Sequence, residues 1–340
     1  METRRIMKRN FMACITATAA ATLLLAGTVS AADYKVGILQ FVDDASLNQI
    51  ESAIEAKLDE ASEAGDDNFI YEGNVYNGQA DATTLNQMTA QMIADGVDLI
   101  IPIATPSALI VQTATEDNQI PVVFSAVSDP VGAGLVESMD APGANITGTS
   151  DALNTNAIFD LMLTANPDIK KVGLLYSQSE DASKQAIADA KAYLDEKGIE
   201  YVEKTGTNNT EVSQAADALV AEGVDAIFTP TDNTIMTAEL AIFEKFLDAG
   251  IPHYAGADSF ALNGAFCGYG VDYVNLGTAT AELAIEILQG AAPAETGVRT
   301  FDNGIATVNT ETAEILGMDY SGFAEKCTAV NEVVTAEEFE

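Results

Sequence analysis

Tryptophan is absent from the 340 residues, and histidine occurs once, as His253. With a single histidine, the sequence offers no recognisable Ser/His/Asp catalytic triad and no recognisable set of zinc ligands. His253 is therefore predicted to be structural. No phosphate-binding G-x-x-x-x-G-K-[ST] loop occurs, and no G-x-G-x-x-G fingerprint follows the first predicted strand. The lack of tryptophan for stacking also disfavours a sugar ligand. These absences predict a protein that is not an enzyme and holds no cofactor or metal.

Positive charge is scarce, with 15 Lys and Arg against 52 Asp and Glu and a formal net charge of −37 at pH 7. Such a surface repels phosphate backbones and anionic lipids, which makes nucleic acids and membrane surfaces poor partners. Solubility or a salty habitat explains the acidity more simply than cation binding does. Because 48% of the residues are apolar, the chain is expected to fold and not to be disordered.

Long apolar runs are also scarce, since only residues 11–29 form one, after a short basic N-terminal stretch. This layout is typical of a secretory signal peptide over residues 1–31, cleaved after Ala31 or Ala32. A retained membrane anchor is the alternative, because the run nearly spans a bilayer. A lipid anchor is disfavoured because Cys14 lies inside the run. We therefore expect the mature chain to be secreted, in the periplasm or outside the cell.

Two cysteines, Cys267 and Cys327, follow the leader. An oxidising compartment would allow them to form a disulfide. Sequence does not tell whether their Cα atoms come close enough for the bond, so a disulfide and two separate thiols both stay open.

Short runs rich in Val and Ile alternate with segments of helical period, which predicts βαβ units and an α/β fold with parallel sheets. The predicted strands are residues 35–40, 68–75, 99–104, 121–125, 172–176, 200–204, 226–230 and 253–255. The predicted helices are residues 46–64, 82–95, 107–118, 182–197, 211–222 and 235–249.

The second half of the chain repeats the first. VGIL at residues 36–39 recurs as VGLL at 172–175, and GVDLI at 96–100 recurs as GVDAI at 223–227. The copies keep their order and lie about 130 residues apart, which predicts two domains of the same topology, each of about 150 residues. The first domain is expected to end near Gly148, in a segment rich in Gly, Pro, Asn and Thr.

In open parallel sheets, ligands bind beyond the carboxyl ends of the strands, where free N–H groups at helix N-termini favour anions. The loops after the predicted strands carry hydroxyls, amides and carboxylates and almost no cations. N–H and O–H donors must therefore hold any anionic group, and the carboxylates suit a ligand ammonium. The candidate ligand-binding residues are Gln40, Phe41, Thr105, Ser107, Ser125, Asp129, Tyr176, Asp232, Asn233 and Asp258.

Most of these candidates also have a purely structural interpretation. Thr105 and Ser107 would cap the helix that follows them, as Asp232 would cap its own helix, and Asp129 would complete a turn before proline. Phe41 and Tyr176, and likewise Phe260, are either apolar walls of the site or parts of the core. Capping and ligand binding are compatible.

Five short motifs are VGILQ at residues 36–40, PVVFSAVSDPVGAGL at 121–135, NITG at 145–148, PTDNT at 230–234 and YAG at 254–256. In this combination, residues 34–320 resemble the substrate-binding proteins of ABC transporters grouped around tryptophan and tyrosine uptake. The resemblance implies a type I periplasmic-binding fold of two Rossmann-like lobes and a hinge, with a cleft that closes on ligand. Lobe 1 would comprise residues 32–148 and 276–292, and lobe 2 residues 149–275 and 293–340.

Members of this family commonly bind aromatic amino acids. The resemblance places the ligand carboxylate at residues 105–107 and Ser125, and the α-ammonium at Asp232 with Asn233. The chain departs from the family at Asp43 and Asp44, where basic or histidine-containing variants are often seen, and this leaves the exact ligand open.

The function predicted from these features is the capture of a small molecule, above all an aromatic amino acid, by a monomer that delivers it to an ABC permease in the membrane. Other ligands, namely a branched-chain amino acid, a nucleoside or a sugar, are alternatives. A secreted sensor lobe and a secreted hydrolase are alternatives of other classes.

Overall fold

A computed structural model describes residues 32–65, 67–301 and 304–336. The predicted signal peptide, residues 1–31, lies outside the described residues. Within the described part of the chain, no helix combines the length and the apolar character that crossing a bilayer requires.

Strands and helices alternate along most of the chain. The strands are β1 Asp33–Gln40, β2 Asn68–Ile70, β3 Val75–Asn77, β4 Leu99–Ile103, β5 Val122–Phe124, β6 Ile146–Ser150, β7 Lys171–Tyr176, β8 Glu200–Thr205, β9 Ala226–Thr229, β10 His253–Ala255, β11 Cys267–Gly270, β12 Arg299–Thr300, β13 Ile305–Asn309 and β14 Ala329–Val333. The helices are α1 Ala45–Ala64, α2 Ala82–Asp95, α3 Thr105–Thr115, α4 Thr155–Ala165, α5 Asp181–Lys197, α6 Asn209–Glu222, α7 Asn233–Met236, α8 Glu239–Asp248, α9 Asp258–Leu262, α10 Tyr273–Leu288 and α11 Thr310–Leu316.

The strands form two sheets that share the topology of five strands and differ at one edge. The first has the order β12-β6-β5-β4-β1-β2, with β3 also paired to β1, and the second has the order β14-β13-β11-β10-β9-β7-β8. Apart from β13, which runs antiparallel to β11, the paired strands are parallel. The order β2-β1-β4-β5-β6 thus matches β8-β7-β9-β10-β11. The α/β fold with two parallel sheets and the repeat of its halves are confirmed.

The chain crosses between the sheets after β6, after β11 and after β12. After β6, α4 packs on α5 and β10 of the second sheet, whereas after β11, α10 packs on α1, β5 and β6 of the first. The short strand β12 pairs with β6 at Thr149 and Ser150, and Arg299 forms ion pairs with Glu282 and Glu286 of α10. These contacts attach residues 299–300 to the first sheet, although the sequence prediction assigned them to lobe 2.

Several elements differ from the sequence prediction for local reasons. The segment predicted as one strand over residues 68–75 is interrupted by a turn at Gly73, whose φ is +80°, and forms β2 and β3. The helix predicted over residues 235–249 is interrupted after Met236 and forms α7 and α8. The strands β6, β11, β13 and β14 carry few of the Val and Ile runs that signal a strand, and the prediction did not include them.

Cys267 is buried and Cys327 is partly buried, and both are free thiols. Burial raises the pKa of Cys267 far above its usual value, and the neighbouring Cys327 adds to this effect. Of the two alternatives left open by the sequence, the structure has the separate thiols.

Helix α10 packs so closely on α1 that only glycine fits at position 277. A Cβ atom added to Gly277 would lie 2.5 Å from the carbonyl oxygen of Ile50 and 2.9 Å from Cβ of Ala53. Since backbone cannot yield as a flexible side chain does, this contact sets the distance between the two helices. The contact at Gly277 packs α10, the helix after the second crossing, against the first lobe.

Acidic side chains crowd one another on the surface. Most basic side chains of the described residues are already paired with a carboxylate, namely Lys57, Lys171, Lys184, Lys191, Lys197, Lys204, Lys245 and Arg299. On α1, burial together with the charges of Glu55 and Asp43 raises the pKa of Glu51 to about 7. Unbalanced carboxylates therefore repel one another in the folded state.

Replacing Gly277 by Ala should destabilise the protein by about 1–3 kcal/mol, because the added methyl group overlaps the α1 backbone. Thr278→Ala on the same helix is the matched control, since the Thr278 hydroxyl donates only to the carbonyl of Val274 in its own helix. Urea unfolding of both variants checks this. Equal stability of the two variants would contradict the close-packing argument.

Added salt should stabilise the protein, because it screens the repulsion between surface carboxylates. Raising NaCl from about 0.05 M to about 1 M shortens the Debye length to about 3 Å, and we expect Tm to rise by about 4 °C or more. Differential scanning calorimetry measures this, with KCl in parallel to test for a specific ion effect. The variant Glu51→Gln should show a weaker dependence, and a flat Tm in the unmodified protein would argue against the repulsion.

Candidate functional site

The carboxyl ends of the two sheets face a narrow cavity of about 20 Å³ between the lobes. Polar and apolar side chains of both lobes line it, together with residues at the two crossings. The lining residues are Ser46, Leu47, Ala104, Thr105, Ala126, Ser128, Asp151, Ala182, Thr231, Asn233, Met236, Ala257 and Tyr273. The lining contains no Lys or Arg among the residues described.

The N-terminus of α3 opens onto this cavity with its polar groups unpaired. Ala104 precedes the helix with a φ of +76°, and no side chain caps the first turn. Thr105 Oγ1 and Ser107 Oγ are buried and have no hydrogen-bond partner in the described structure. Thr105 lines the cavity, whereas Ser107 lies behind the lining. Unpaired buried hydroxyls cost free energy, and a helix N-terminus favours an anion, so this turn is suited to an anionic ligand group.

Positive φ values occur at equivalent places in the first lobe. Ala104 follows β4 and Ala126, with a φ of +53°, follows β5. Residues other than glycine adopt this conformation at a cost of about 1–3 kcal/mol, and such strain clusters at functional sites. Both alanines line the cavity, so the strained backbone shapes the wall beside the α3 N-terminus.

Asp151 is the carboxylate that lines the cavity. It follows β6 directly and is only 4% exposed, and its Oδ1 accepts a hydrogen bond from Ser128 Oγ at 2.9 Å. Burial raises the pKa of Asp151 to about 6. Sequence reasoning missed this residue because it treated the segment around it as a linker between the domains.

Asp232 shapes the second lobe and does not line the cavity. Its Oδ1 caps α7 by accepting from the N–H of Ile235 at 2.9 Å. Its Oδ2 accepts from the N–H of Ser177 at 2.7 Å and from Ser183 Oγ at 2.6 Å. Burial raises its pKa to about 6. Three donors from its own lobe already use the oxygens that were predicted to receive a ligand ammonium.

Asn233 lines the cavity, but its side chain is held by a second buried carboxylate. Glu180 accepts from Asn233 Nδ2 at 3.1 Å and from Thr234 Oγ1 at 3.2 Å. Burial, and after it the charge of Asp232, raises the pKa of Glu180 to about 7. Glu180 therefore orients the Asn233 amide, leaving its carbonyl oxygen for other partners.

Asp258 links the two lobes at the rim of the cavity. It begins α9 of the second lobe, where its Oδ1 accepts from Ser46 Oγ at 2.5 Å and its Oδ2 from Gln49 Nε2 at 3.0 Å. Both donors lie on α1 of the first lobe. Nearby, burial and the charge of Asp258 raise the pKa of Asp44 to about 7. Asp258 thus joins the lobes and is not part of the cavity lining.

Two further predicted residues, Gln40 and Ser125, are not part of the cavity lining, and their side chains form hydrogen bonds within the first lobe. Gln40 Nε2 donates to the carbonyl of Val42 at 2.6 Å and to Asn48 Oδ1 at 2.7 Å. Ser125 Oγ lies 2.8 Å from Thr280 Oγ1 of α10. These contacts stabilise the first lobe internally.

Asp129 and the predicted aromatic walls also lie apart from the cavity lining. Asp129 accepts from the N–H of Gly132 at 2.8 Å and closes its own turn. Phe41 and Phe260 are buried in the core, and the Tyr176 hydroxyl donates to Glu203 at 2.7 Å on the second lobe. The aromatic ring that lines the cavity is Tyr273, at the start of α10, which sequence reasoning did not consider.

A sequence profile described as ABC transporter substrate binding protein matches residues 35–327. A tyrosine-binding protein of Clostridioides difficile (strain R20291) is 35% identical over 284 residues, which is 83% of this chain and 81% of that protein. A Streptococcus pneumoniae ABC domain solved in complex with L-Trp is 31% identical, with a TM-score of 0.81 over 88% of this chain and all of that one.

A Clostridium difficile substrate-binding protein with adhesive properties, solved in a ligand-free, open form, is also 31% identical. Its TM-score is 0.65, over 89% of this chain and all of that one. The identity is the same as for the L-Trp complex, whereas the TM-score is lower.

The buried carboxylates should make the protein more stable as the pH falls from about 8 to about 5. The pKa values of Asp44 and Glu180 are about 7, and those of Asp151 and Asp232 about 6, all above their ordinary values. The folded state therefore binds protons that the unfolded state releases, so stability declines as pH rises through this range. Measuring Tm as a function of pH checks this. The variant Glu180→Gln should show a weaker dependence of Tm on pH. A Tm that falls as the pH is lowered from 8 would contradict the prediction.

Proposed function

The chain belongs to the family of ABC transporter substrate-binding proteins, and we propose that it captures an aromatic amino acid in the cleft between its lobes. In this proposal the protein acts outside the cytoplasm as a monomer, changes nothing in its ligand, and delivers it to an ABC permease in the membrane. Contacts from both lobes to one ligand favour the closed state, which the permease recognises.

The observation that carries the proposal is the cavity between the lobes with unpaired donors at the α3 N-terminus. Thr105 Oγ1, Ser107 Oγ and the first-turn N–H groups form a place for a carboxylate that needs no Lys or Arg. A zwitterion is neutral overall, so it suits a protein whose net charge is −37. Such a ligand supplies the partners that the buried hydroxyls lack.

The apolar part of the lining supports an aromatic side chain as the third group of the ligand. Leu47 contributes from the first lobe, Met236 from the second and Tyr273 from the start of α10. A methionine sulfur and an aromatic ring are both favourable neighbours of an aromatic group. The names of two relatives point the same way, since one is a tyrosine-binding protein and the other was solved with L-Trp.

Calorimetry with the twenty amino acids, together with mass spectrometry of any compound that co-purifies, tests the proposal. We expect an aromatic amino acid to bind most tightly, with Kd well below about 1 mM. If no aromatic amino acid binds more tightly than this, the proposed ligand class is wrong. Recovery of a chemically changed ligand would contradict capture without chemistry.

Thr105→Val should weaken binding of that amino acid about tenfold, because the variant keeps the shape of the side chain and removes the hydroxyl. Thr113→Val is the matched control, since Thr113 lies exposed on α3 and donates only to the carbonyl of Leu109. Calorimetry compares the ligand affinities of the two variants, once unfolding measurements have shown that they are equally stable. Equal affinities would remove Thr105 from the binding site.

A further inference from the structure

Asp151 lies where the chain first passes from one lobe to the other. It comes directly after β6 of the first sheet and precedes α4, which packs on the second. The second crossing contributes Tyr273 to the same cavity. Both groups therefore lie beside the same cavity, each at a crossing between the lobes.

The Asp151 carboxylate is buried with little compensation. It is 4% exposed. Among the residues described, its carboxylate accepts hydrogen bonds from the Ser128 hydroxyl and from its own backbone N–H, and it forms no ion pair with a described Lys or Arg. An ionised carboxylate accepts several hydrogen bonds, and a buried charge costs free energy unless it is paired. A positively charged ligand group would supply this missing partner.

The other buried carboxylates around the cleft already accept hydrogen bonds from donors of the protein itself. Asp44 accepts from the N–H groups of Ser46 and Leu47 as the cap of α1. Asp232 has three donors and Glu180 two, all within the second lobe. None of these three lines the cavity, whereas Asp151 does.

We propose that Asp151 binds the α-ammonium of the ligand, so that the site accepts amino acids with a free amine and excludes analogues that lack it. This inference rests on the proposed function and replaces Asp232 as the ammonium partner. The ligand carboxylate then binds at the α3 N-terminus, and the ligand ammonium binds at the end of β6. Ser128 orients the Asp151 carboxylate through its hydroxyl.

The charge of Asp151 also acts on its surroundings. Burial raises the pKa of Tyr273 well above its usual value, and the nearby charges of Asp151, Asp258 and Asp44 raise it further. Tyr273 therefore stays a neutral phenol beside the carboxylate. A neutral aromatic ring next to a bound ammonium is a favourable arrangement.

The test compares L-tyrosine with 3-(4-hydroxyphenyl)propionic acid, which lacks only the amine, in calorimetry with the unmodified protein and Asp151→Asn. The unmodified protein should bind L-tyrosine at least about tenfold more tightly than the analogue. Asp151→Asn should bind L-tyrosine about tenfold or more weakly and the analogue as before or more tightly. Asp189→Asn on α5 is the control for a loss of charge outside the cavity and should change neither affinity.

Thermal unfolding of Asp151→Asn separates binding from folding, because an amide should bury at position 151 as easily as the carboxylate or more easily. Its Tm in the absence of ligand should equal or exceed that of the unmodified protein. Equal loss of affinity for both compounds, or no loss for L-tyrosine, would overturn the role of Asp151 and leave the proposed function intact. If the unmodified protein binds neither compound, the proposed ligand and the inference drawn from it fall together.

Discussion

A carboxylate buried without a cation must accept hydrogen bonds, bind a ligand or take up a proton, and this constraint governs the cleft of the protein. The chain has few positive charges, and most of those described are paired on the surface. Asp44, Glu180 and Asp232 satisfy the constraint with N–H, hydroxyl and amide donors. Their hydrogen bonds fix the helix starts and loops that form the cavity walls.

The polar groups near the cavity differ between the lobes. In the second lobe, Asp232 joins Ser177, Ser183 and α7 into one rigid unit. In the first lobe, the α3 N-terminus keeps buried hydroxyls without partners. Asp258 accepts hydrogen bonds across the gap from α1. Direct hydrogen bonds therefore join the lobes at Asp258, while the unpaired hydroxyls lie at the α3 N-terminus.

The repeat and the parallel sheets could be predicted because they depend on hydrophobic period and on motifs that recur in order. The positions of the polar loops followed from the same rule, since carboxyl ends of parallel strands share one edge. Which side chain of a loop enters the cleft could not be predicted. Asp232 and Asp151 both follow a strand, and their different roles arise from Ser177, Ser183 and Ser128, whose proximity is not visible along the chain.

The sequence by itself determined two α/β lobes of one topology, an acidic surface and polar strand ends without cations. Only the tertiary structure decided that Phe41 and Phe260 belong to the core, that Tyr176 binds Glu203, and that Asp151 and Tyr273 line the cavity. The physical reason is that period and composition act locally, whereas burial of a side chain and the partners of its polar atoms depend on segments far apart in the chain.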